Sequence, residues 1–194
     1  MAPDTYHHGD LRTALLDAVG EIIDEQGIGA VSLREAARRA GVSHSAPAHH
    51  FGDKAGLLTA FATRGFERFR DRMGAAFQAA EGEGADAQFR AIGLEYLSFA
   101  IQERAHFEVM FRSEMHDGDD PEFCTTSHSA FGVLIGAVEA MDPADLNGAD
   151  PMHVAIGGWA TVHGLATLWL DGALQQFTDQ DLAQIAMGIF EADG

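Results

Sequence analysis

Residues 31–58 read VSLREAARRAGVSHSAPAHHFGDKAGLL, and this stretch predicts two short helices, a tight turn between them and the start of a third helix. Ser32 and Glu35 have the spacing of a capping box, in which the hydroxyl accepts a backbone N–H and the carboxylate reaches back. Gly41 stands where a left-handed residue ends a helix, and Ser43 is placed to cap the next one. Such a pair is typical of the helix-turn-helix, whose second helix enters the DNA major groove. Helix pairs without DNA-binding function share this spacing, so both interpretations stay open.

The charge of the chain is unevenly distributed. Its 194 residues carry a formal net charge of −18, which is unfavourable for a protein that must neutralise phosphates. Residues 1–72 hold nine Lys and Arg against ten Asp and Glu, a balance of −1, whereas residues 73–194 hold three against twenty, a balance of −17. This asymmetry predicts that only the N-terminal end can approach DNA and that non-specific affinity is weak.

Composition narrows the class of protein. The hydrophobic fraction is 46%, which argues against disorder, and the chain is long enough to bury a substantial core. The single cysteine, Cys124, excludes an internal disulfide framework, and the first residues lack the apolar segment of a secretory signal. We therefore expect a cytoplasmic protein.

Apolar residues recur at helical spacing along the chain, so we predict an all-α fold of about nine helices. Asp10 is placed to cap the first helix, Asp53 a long fourth helix and Asp86 a fifth. We predict a three-helix DNA-binding domain over residues 1–56 and a helical regulatory and dimerisation domain over residues 57–194. Loops rich in Gly, Asp and Pro are predicted over residues 81–87, 116–121 and 142–151.

The segment from Met152 to Leu170 is apolar on nearly every side. Its 19 residues would just span a bilayer, but it contains His153 and His163 and lacks flanking Lys or Arg, so we favour a helix buried in protein. One subunit supplies too few neighbours to cover such a helix, so the pattern predicts a partner subunit. Dimer contacts are predicted for small and apolar residues of the last two helices, namely Gly157, Gly158, Gly164, Leu165, Leu168, Leu182, Ile185 and Ile189.

Three stretches resemble a known protein family. YHHGDLRTALLDAV at residues 6–19 and AGVSHSAPAHHFGDKAGLL at residues 40–58 closely resemble the DNA-binding domain of TetR-family transcriptional regulators. GGWATVHGLATLWLDG at residues 157–172 resembles the Trp-His-Gly group of C-terminal domains in that family. The resemblance implies a homodimer that binds double-stranded DNA, in which a small-molecule effector in the C-terminal domain changes the spacing of two DNA-reading helices.

The resemblance also implies roles for residues around the second helix of the motif. Base-edge or groove contacts are expected from His44, Ser45 and His49. Phosphate contacts are expected from Ser43, His50 and Lys54, with Arg34 at the flank. The family usually has an aromatic residue, commonly Tyr, at the position of Ala48, so one contact is missing here and DNA affinity is in doubt. We also expect the adjacent histidines to strengthen DNA binding as they gain protons at lower pH.

The start of the first helix is a second candidate for phosphate contact, because helix N-termini present backbone N–H groups. The residues concerned are Tyr6, His7, His8 and Arg12. A flexible terminus explains Tyr6 to His8 equally well, so both interpretations stay open.

An apolar effector cavity is predicted from the aromatic and methionine residues in the middle of the chain. The candidate lining residues are Phe89, Phe99, Phe107, Met110, Phe111, Phe131, Trp159 and His163. A packed core would use the same residue types, so this alternative stays open. Because Lys and Arg are scarce there, an uncharged or cationic effector is favoured over a dianion.

Ten histidines raise the question of a metal site or a catalytic site. The adjacent pairs His7-His8 and His49-His50 would point about 100° apart on a helix and cannot easily share one ion. No metal-binding spacing, nucleophile elbow, phosphate loop or dinucleotide motif is present, so we expect no enzyme, no metal and no cofactor. The sequence favours a DNA-binding regulator, most simply a repressor released by a small molecule. The alternative is a helical ligand-binding or scaffold protein whose helix-turn-helix no longer reads DNA.

Overall fold

The computed structural model describes residues 8–146 and 148–192, with side chains from residue 11 onward. Within these residues the regular structure is helical, with nine α-helices and short 3-10 helices at Ile28–Ala30 and Leu174–Gln176. The α-helices are α1 His8–Gln26, α2 Leu33–Arg39, α3 Ala46–Phe51, α4 Lys54–Ala79, α5 Ala85–Gln102, α6 Arg104–Met110, α7 Pro121–Glu139, α8 Pro151–Leu170 and α9 Leu182–Ala192. The predicted all-α fold of about nine helices is confirmed.

Contacts between residues divide these helices into two compact units. The first unit contains the described residues up to Phe66 together with Arg104–Thr126, so α6 and the start of α7 belong to it. The second unit contains Glu67–Glu103 and the described residues from Ser127 onward. The contacts therefore divide the chain differently from the boundary proposed after residue 56, and that boundary stays a prediction.

The core of the first unit forms around α1. Leu15, Val19 and Ile22 follow one another at helical spacing and are completely buried. Both α2 and α6 pack on this helix. On α4, Gly65 allows α6 to approach closely, because a Cβ there would lie 2.7 Å from the Sδ atom of Met110. Packing against α1 and α4 thus explains why α6 belongs with the N-terminal helices.

The ends of α2 follow largely from its sequence. Ser32 Oγ accepts the backbone N–H of Glu35 at 3.1 Å, which confirms the predicted cap. Gly41 has φ 67°, and its N–H donates to the Arg38 carbonyl at 3.3 Å, so the left-handed end is also confirmed. The Glu35 carboxylate differs from the prediction. It accepts two hydrogen bonds from the Arg38 side chain, at 2.6 and 2.8 Å, because a charged partner lies one turn further along the helix.

The second helix of the motif is shorter than predicted. It begins at Ala46, so His44 and Ser45 lie in the turn before it. The prediction that the Ser43 side chain caps this helix is wrong. Ser45 holds the cap position, and Ser43 instead closes the turn by accepting the Ala46 N–H at its carbonyl, at 3.0 Å. Pro47 occupies the first turn, where an N–H has no intrahelical acceptor, so its ring removes no helical hydrogen bond.

The junction between α3 and α4 is tight. Gly52 has φ 74° and ψ −77°, and the Asp53 N–H donates to the Phe51 carbonyl at 2.9 Å, which makes a γ-turn. Asp53 Oδ1 accepts the Gly56 N–H at 2.9 Å, so the predicted cap of α4 is confirmed. A Cβ at residue 56 would lie 2.1 Å from the Phe51 carbonyl oxygen. Glycine is therefore required where α4 starts against the end of α3.

In the second unit, α5, α8 and α9 pack on one another through small residues. A Cβ on Gly158 of α8 would lie 2.6 Å from the Phe89 ring of α5. A Cβ on Gly93 of α5 would lie 3.0 Å from the Phe190 ring of α9. These glycines therefore let an aromatic ring of the neighbouring helix fill the space beside the backbone.

One predicted cap in this unit is wrong. Helix α5 begins at Ala85 after Gly84, whose φ is 98°, and Asp86 lies inside the first turn. Its carboxylate pairs with Arg90 one turn later instead of capping the helix. None of the helices in the described ranges is long and apolar enough to cross a membrane.

Candidate nucleic-acid interface and ligand-binding residues

The residues predicted to contact DNA lie in the first unit, around the turn before α3 and along α3 itself. Those with exposed side chains are Arg34, Ser43, His44, Ser45, His49 and Lys54. His50 is half-buried, and its ring centroid lies 6.0 Å from that of Phe51. Ala48 is also exposed, so the surface presents only a methyl group where the family usually has an aromatic ring. The individual DNA contacts stay predictions.

Two arginines near this surface are already paired with carboxylates. Arg38 bonds Glu35, and this hydrogen bond lowers the pKa of the Glu35 carboxyl. Arg39 bonds Glu25 at 2.6 Å and likewise lowers the pKa of Glu25. Among the described cations of this surface, those without an ion pair are Arg34 and Lys54. The surface is therefore poor in cations that could meet phosphates.

The start of α1 is only partly described. Tyr6, His7 and the side chain of His8 lie outside the described residues. The guanidinium of Arg12 lies over the Phe51 ring, 5.9 Å from its centroid, and its Nη2 atom is 3.8 Å from Oε2 of Glu122. Phe51 is the last residue of α3 and Glu122 lies in the first turn of α7, so Arg12 is held beside the recognition helix.

The second unit contains three linked polar side chains among aromatic rings. Tyr96 is only 4% exposed, and its Oη shares a hydrogen bond of 2.7 Å with His163 Nδ1 and accepts one of 3.2 Å from Trp159 Nε1. Burial raises the pKa of Tyr96 far above its ordinary range and lowers the pKa of His163, so both are neutral near pH 7. The Phe69 ring lies 5.0 Å from that of Tyr96, and Phe131 lies 5.5 Å from Trp159. Such a setting suits an apolar molecule with few hydrogen-bonding groups.

The predicted cavity residues are divided between the two units. The second unit contains Phe89, Phe99, Phe131, Trp159 and His163, and the first contains Phe107, Met110 and Phe111. In the first unit, the Phe111 ring lies 5.2 Å from Phe107 and 5.6 Å from Phe66, edge to face. In the second unit, Phe99 is completely buried, with its ring 5.0 Å from Phe69. Lining of an effector cavity by these residues stays a prediction.

Sequence reasoning missed the environment of His163 because its hydrogen-bond partner Tyr96 lies 67 residues away along the chain. The sequence places Tyr96 only in the apolar stripe of its helix, and nothing local links it to His163. His116 lies between α6 and α7 with its ring 4.4 Å from Phe123, and both ring nitrogens are shielded from solvent. Burial lowers the pKa of His116 despite opposing effects of neighbouring groups. No three His, Cys, Asp or Glu side chains of the described chain are grouped to hold a metal ion.

Helix α8 has several exposed large apolar side chains. Met152, Ile156, Trp159 and Leu168 are between 36% and 46% exposed, which is unusual for large apolar residues in one helix. Of the residues predicted to form a dimer interface, Gly157 and Leu168 are exposed, Gly158, Gly164, Ile185 and Ile189 are partly exposed, and Leu165 and Leu182 are buried. Gly158 faces Phe89 of its own chain.

Family models match both ends of the chain. Residues 15–61 match the model described as bacterial regulatory proteins, tetR family. Residues 89–188, which are 100 of the 194, match the model described as tetracyclin repressor-like, C-terminal domain. The chain belongs to the TetR family. This TetR-family protein is therefore a DNA-binding transcriptional regulator.

Individual relatives of this TetR-family chain agree with that assignment. It is 32% identical over 161 residues to the HTH-type transcriptional regulator BetI of Rhizobium meliloti (strain 1021), covering 79% of this chain and 75% of the relative. A solved structure of a protein with unknown function from Rhodococcus sp. RHA1 has a TM-score of 0.81 at 30% identity, over 97% of this chain and 96% of the other. The regulator FadR from Bacillus subtilis, solved with stearoyl-CoA, shares the fold with a TM-score of 0.71 at 16% identity, over 92% and 95% of the chains.

Proposed function

We propose that this TetR-family regulator is a homodimeric repressor that binds a pseudo-palindromic operator and is released from it by a small-molecule effector. It acts in the cytoplasm, where its DNA is, and it has a regulatory rather than a catalytic role. The observation that carries the proposal is the combination of an exposed helix-turn-helix surface with large apolar side chains exposed on α8. A two-fold dimer places two recognition helices in successive major grooves.

DNA recognition is proposed to use the exposed residues around α3. His44, Ser45 and His49 read base edges, and Ser43, His50 and Lys54 contact phosphates, with Arg34 at the flank. Since Arg38 and Arg39 are already paired with carboxylates, only a few cations are available for phosphates. We therefore expect modest affinity for random DNA and a shallow dependence of that affinity on salt.

Dimerisation is proposed to cover the exposed side of α8. Gly164 and Leu168 are one turn apart and lie on the same side of the helix, and the exposed Ile156 lies about 80° from Gly164 around the helix axis. A second copy of the chain is the simplest occupant, because two-fold pairing buries the same apolar surface twice. Gly157 and the partly exposed Ile185 and Ile189 of α9 extend this surface. Gly158 is omitted from it because that glycine accommodates Phe89 within the subunit.

The effector is proposed to bind in the second unit, near the polar group formed by Tyr96, Trp159 and His163. The lining residues proposed there are Phe89, Phe99, Phe131, Trp159 and His163. The segment from residue 127 to residue 194 contains nine Asp and Glu and no Lys or Arg, so an uncharged or cationic molecule is favoured over an anion. Trp159, His163 and Gly164 also support assignment of this unit to the Trp-His-Gly group. Phe107, Met110 and Phe111 stay candidate lining residues in the first unit.

The proposal is tested by measuring DNA binding and assembly together. Fluorescence anisotropy with the DNA upstream of the gene should show specific binding that weakens with salt, and equal affinity for a scrambled duplex would contradict it. Lys54→Ala should weaken binding to both duplexes and flatten the salt dependence, whereas His49→Ala should mainly reduce the preference for the specific duplex.

Assembly is measured by sedimentation. The double variant Ile156→Gln with Leu168→Gln should sediment as a folded monomer, because it places polar groups in the interface. A matched pair on the outside of α4, Arg70→Gln with Ala75→Gln, should stay dimeric. If the α8 variant stays dimeric, the dimer interface lies elsewhere on the protein.

A further inference from the structure

Arg12 is one of the few cations near α3 that could still meet a phosphate. Arg38 and Arg39 each have a carboxylate within 2.6 Å, whereas the pairing of Arg12 is looser, at 3.8 Å. Where a binding surface has few available cations, each additional phosphate contact is a large share of the electrostatic affinity. The partners of Arg12 therefore matter more here than in a strongly basic domain.

The position of Arg12 suits contact with DNA at the edge of the recognition helix. It follows the start of α1 at His8 by about one turn, so the N–H groups and positive dipole end of that helix lie nearby. Its guanidinium lies 5.9 Å above the ring of Phe51, which ends α3. This cation–π contact keeps the charge beside the recognition helix without neutralising it.

Glu122 supplies the carboxylate that pairs with Arg12. Its carboxylate lies in the first turn of α7, and its side chain is 65% exposed, compared with 43% for Arg12. An exposed pair at 3.8 Å is weak and exchanges partners readily. A phosphate group carries the same sign of charge as this carboxylate and can replace it.

We propose that Glu122 competes with the DNA backbone for Arg12 and thereby lowers the affinity of this regulator for DNA; the inference rests on the proposed DNA-binding function. In free protein Arg12 pairs with Glu122. On DNA, Arg12 turns to a phosphate, and its pairing with Glu122 is lost. Glu122 is thus an affinity-determining residue that lies outside the helix-turn-helix.

The test compares Glu122→Gln with Asp119→Asn, which removes the same charge three residues earlier on an exposed side chain that is not paired with Arg12. Glu122→Gln should bind a scrambled duplex about two- to five-fold more tightly at low salt, the range expected for loss of one exposed ion pair. Its logarithmic salt dependence should steepen by up to ~0.9, because the counterion released by the phosphate contact of Arg12 is no longer offset by one taken up at Glu122. Asp119→Asn should show at most a small part of either change.

A double-mutant cycle assigns the gain to Arg12. In the Arg12→Gln background, Glu122→Gln should no longer tighten binding, whereas in Arg12→Lys the gain should persist because the charge is kept. Circular dichroism of each variant confirms that it is folded. The proposal would be overturned if Asp119→Asn raised DNA affinity as much as Glu122→Gln does. It would also be overturned if Glu122→Gln still raised affinity in the Arg12→Gln background, because the effect would then come from net charge and not from Arg12.

These outcomes separate the competition from DNA binding itself. If the unaltered protein binds no duplex at low salt, DNA binding fails and the competition fails with it. If the unaltered protein binds DNA and Glu122→Gln binds equally well, only the competition is refuted. Thermal unfolding without DNA gives the coupling between the two side chains independently. It is measured on the unaltered protein, Arg12→Gln, Glu122→Gln and the variant that carries both changes.

Discussion

Tyr96 of α5 and His163 of α8 are joined by a hydrogen bond of 2.7 Å, although 67 residues separate them in the chain. Trp159, one turn before His163, donates a second bond to the same phenol oxygen at 3.2 Å. The phenol oxygen is thus shared by two α8 side chains, so it joins α5 to α8 at one atom. We infer that it specifies how these helices are aligned.

The first prediction concerns the replacement Tyr96→Phe. The ring keeps its packing against Phe69, but His163 and Trp159 each lose a hydrogen-bond partner. We expect the free energy of unfolding to fall by about 1–3 kcal/mol, the usual cost of leaving buried polar groups unpaired. Urea unfolding followed by circular dichroism, at fixed protein concentration, measures the change.

A matched control for this variant lies on α8. Thr161→Val removes an exposed hydroxyl that donates to the Gly157 carbonyl of its own helix. It should change stability by less than about 0.5 kcal/mol. If the urea midpoint of Tyr96→Phe is unaltered, water replaces the Tyr96 hydroxyl as hydrogen-bond partner with no loss of stability.

The second prediction is a loss of stability on acidification. Burial lowers the pKa of His163 and of His116 below the ordinary histidine value of about 6.5. The unfolded chain therefore binds protons at these positions before the folded protein does. Stability should fall as pH drops through 6.5 and continue to fall until the lowered folded-state pKa values are passed. Thermal unfolding between pH 7.5 and pH 5 should show this decrease. A midpoint that is flat over this range would show that both rings are solvated when folded.

Local sequence patterns were sufficient for most of the fold. The caps at Ser32 and Asp53 and the left-handed glycine at Gly41 depend only on residues within one turn, so they were predictable. The prediction that the Ser43 side chain caps α3 was wrong because the Ser43 carbonyl, and not its hydroxyl, accepts the Ala46 N–H. The prediction that Asp86 caps α5 was wrong because Gly84 holds the cap position. Asp86 lies inside the first turn and pairs with Arg90 one turn later.

The candidate sites were less predictable because their partners are distant in sequence. Most of the residues predicted to contact DNA have exposed side chains around α3, and their contacts stay predictions. No spacing rule connects Tyr96 with His163, or Arg12 with Glu122, because each pair depends on how separate helices pack. The sequence also did not distinguish between the neighbouring glycines of α8. Gly157 and Gly158 are adjacent in sequence, yet only Gly158 is tightly packed inside the subunit.

The third prediction concerns the buried imidazole of His116. Its ring lies 4.4 Å from Phe123, and its nitrogens are shielded from solvent, so desolvation lowers its pKa although a backbone hydrogen bond with Met110 opposes this. His116→Phe keeps an aromatic ring and removes the cost of shielding two polar nitrogens from solvent, so stability at pH 7.5 should rise by about 1 kcal/mol. The loss of stability in acid should also become smaller. His128→Phe on the exposed side of α7 should produce neither effect. A less stable His116→Phe would indicate that water or another group satisfies the imidazole.

The last prediction uses two glycines of the same helix. A Cβ at Gly56 would lie 2.1 Å from the Phe51 carbonyl oxygen, and neither group can move without separating α4 from the end of α3. Gly56→Ala should therefore lower the free energy of unfolding by roughly 3 kcal/mol or more and weaken DNA binding, because it displaces the recognition helix. Gly74 lies inside α4, five residues before its end, where an added methyl group would have nothing within 4 Å among the described residues. Gly74→Ala should raise stability by up to about 1 kcal/mol through helix propensity and leave DNA binding unchanged. Urea unfolding and anisotropy on both variants check this, and equal behaviour of the two would mean that the junction between α3 and α4 is not rigid.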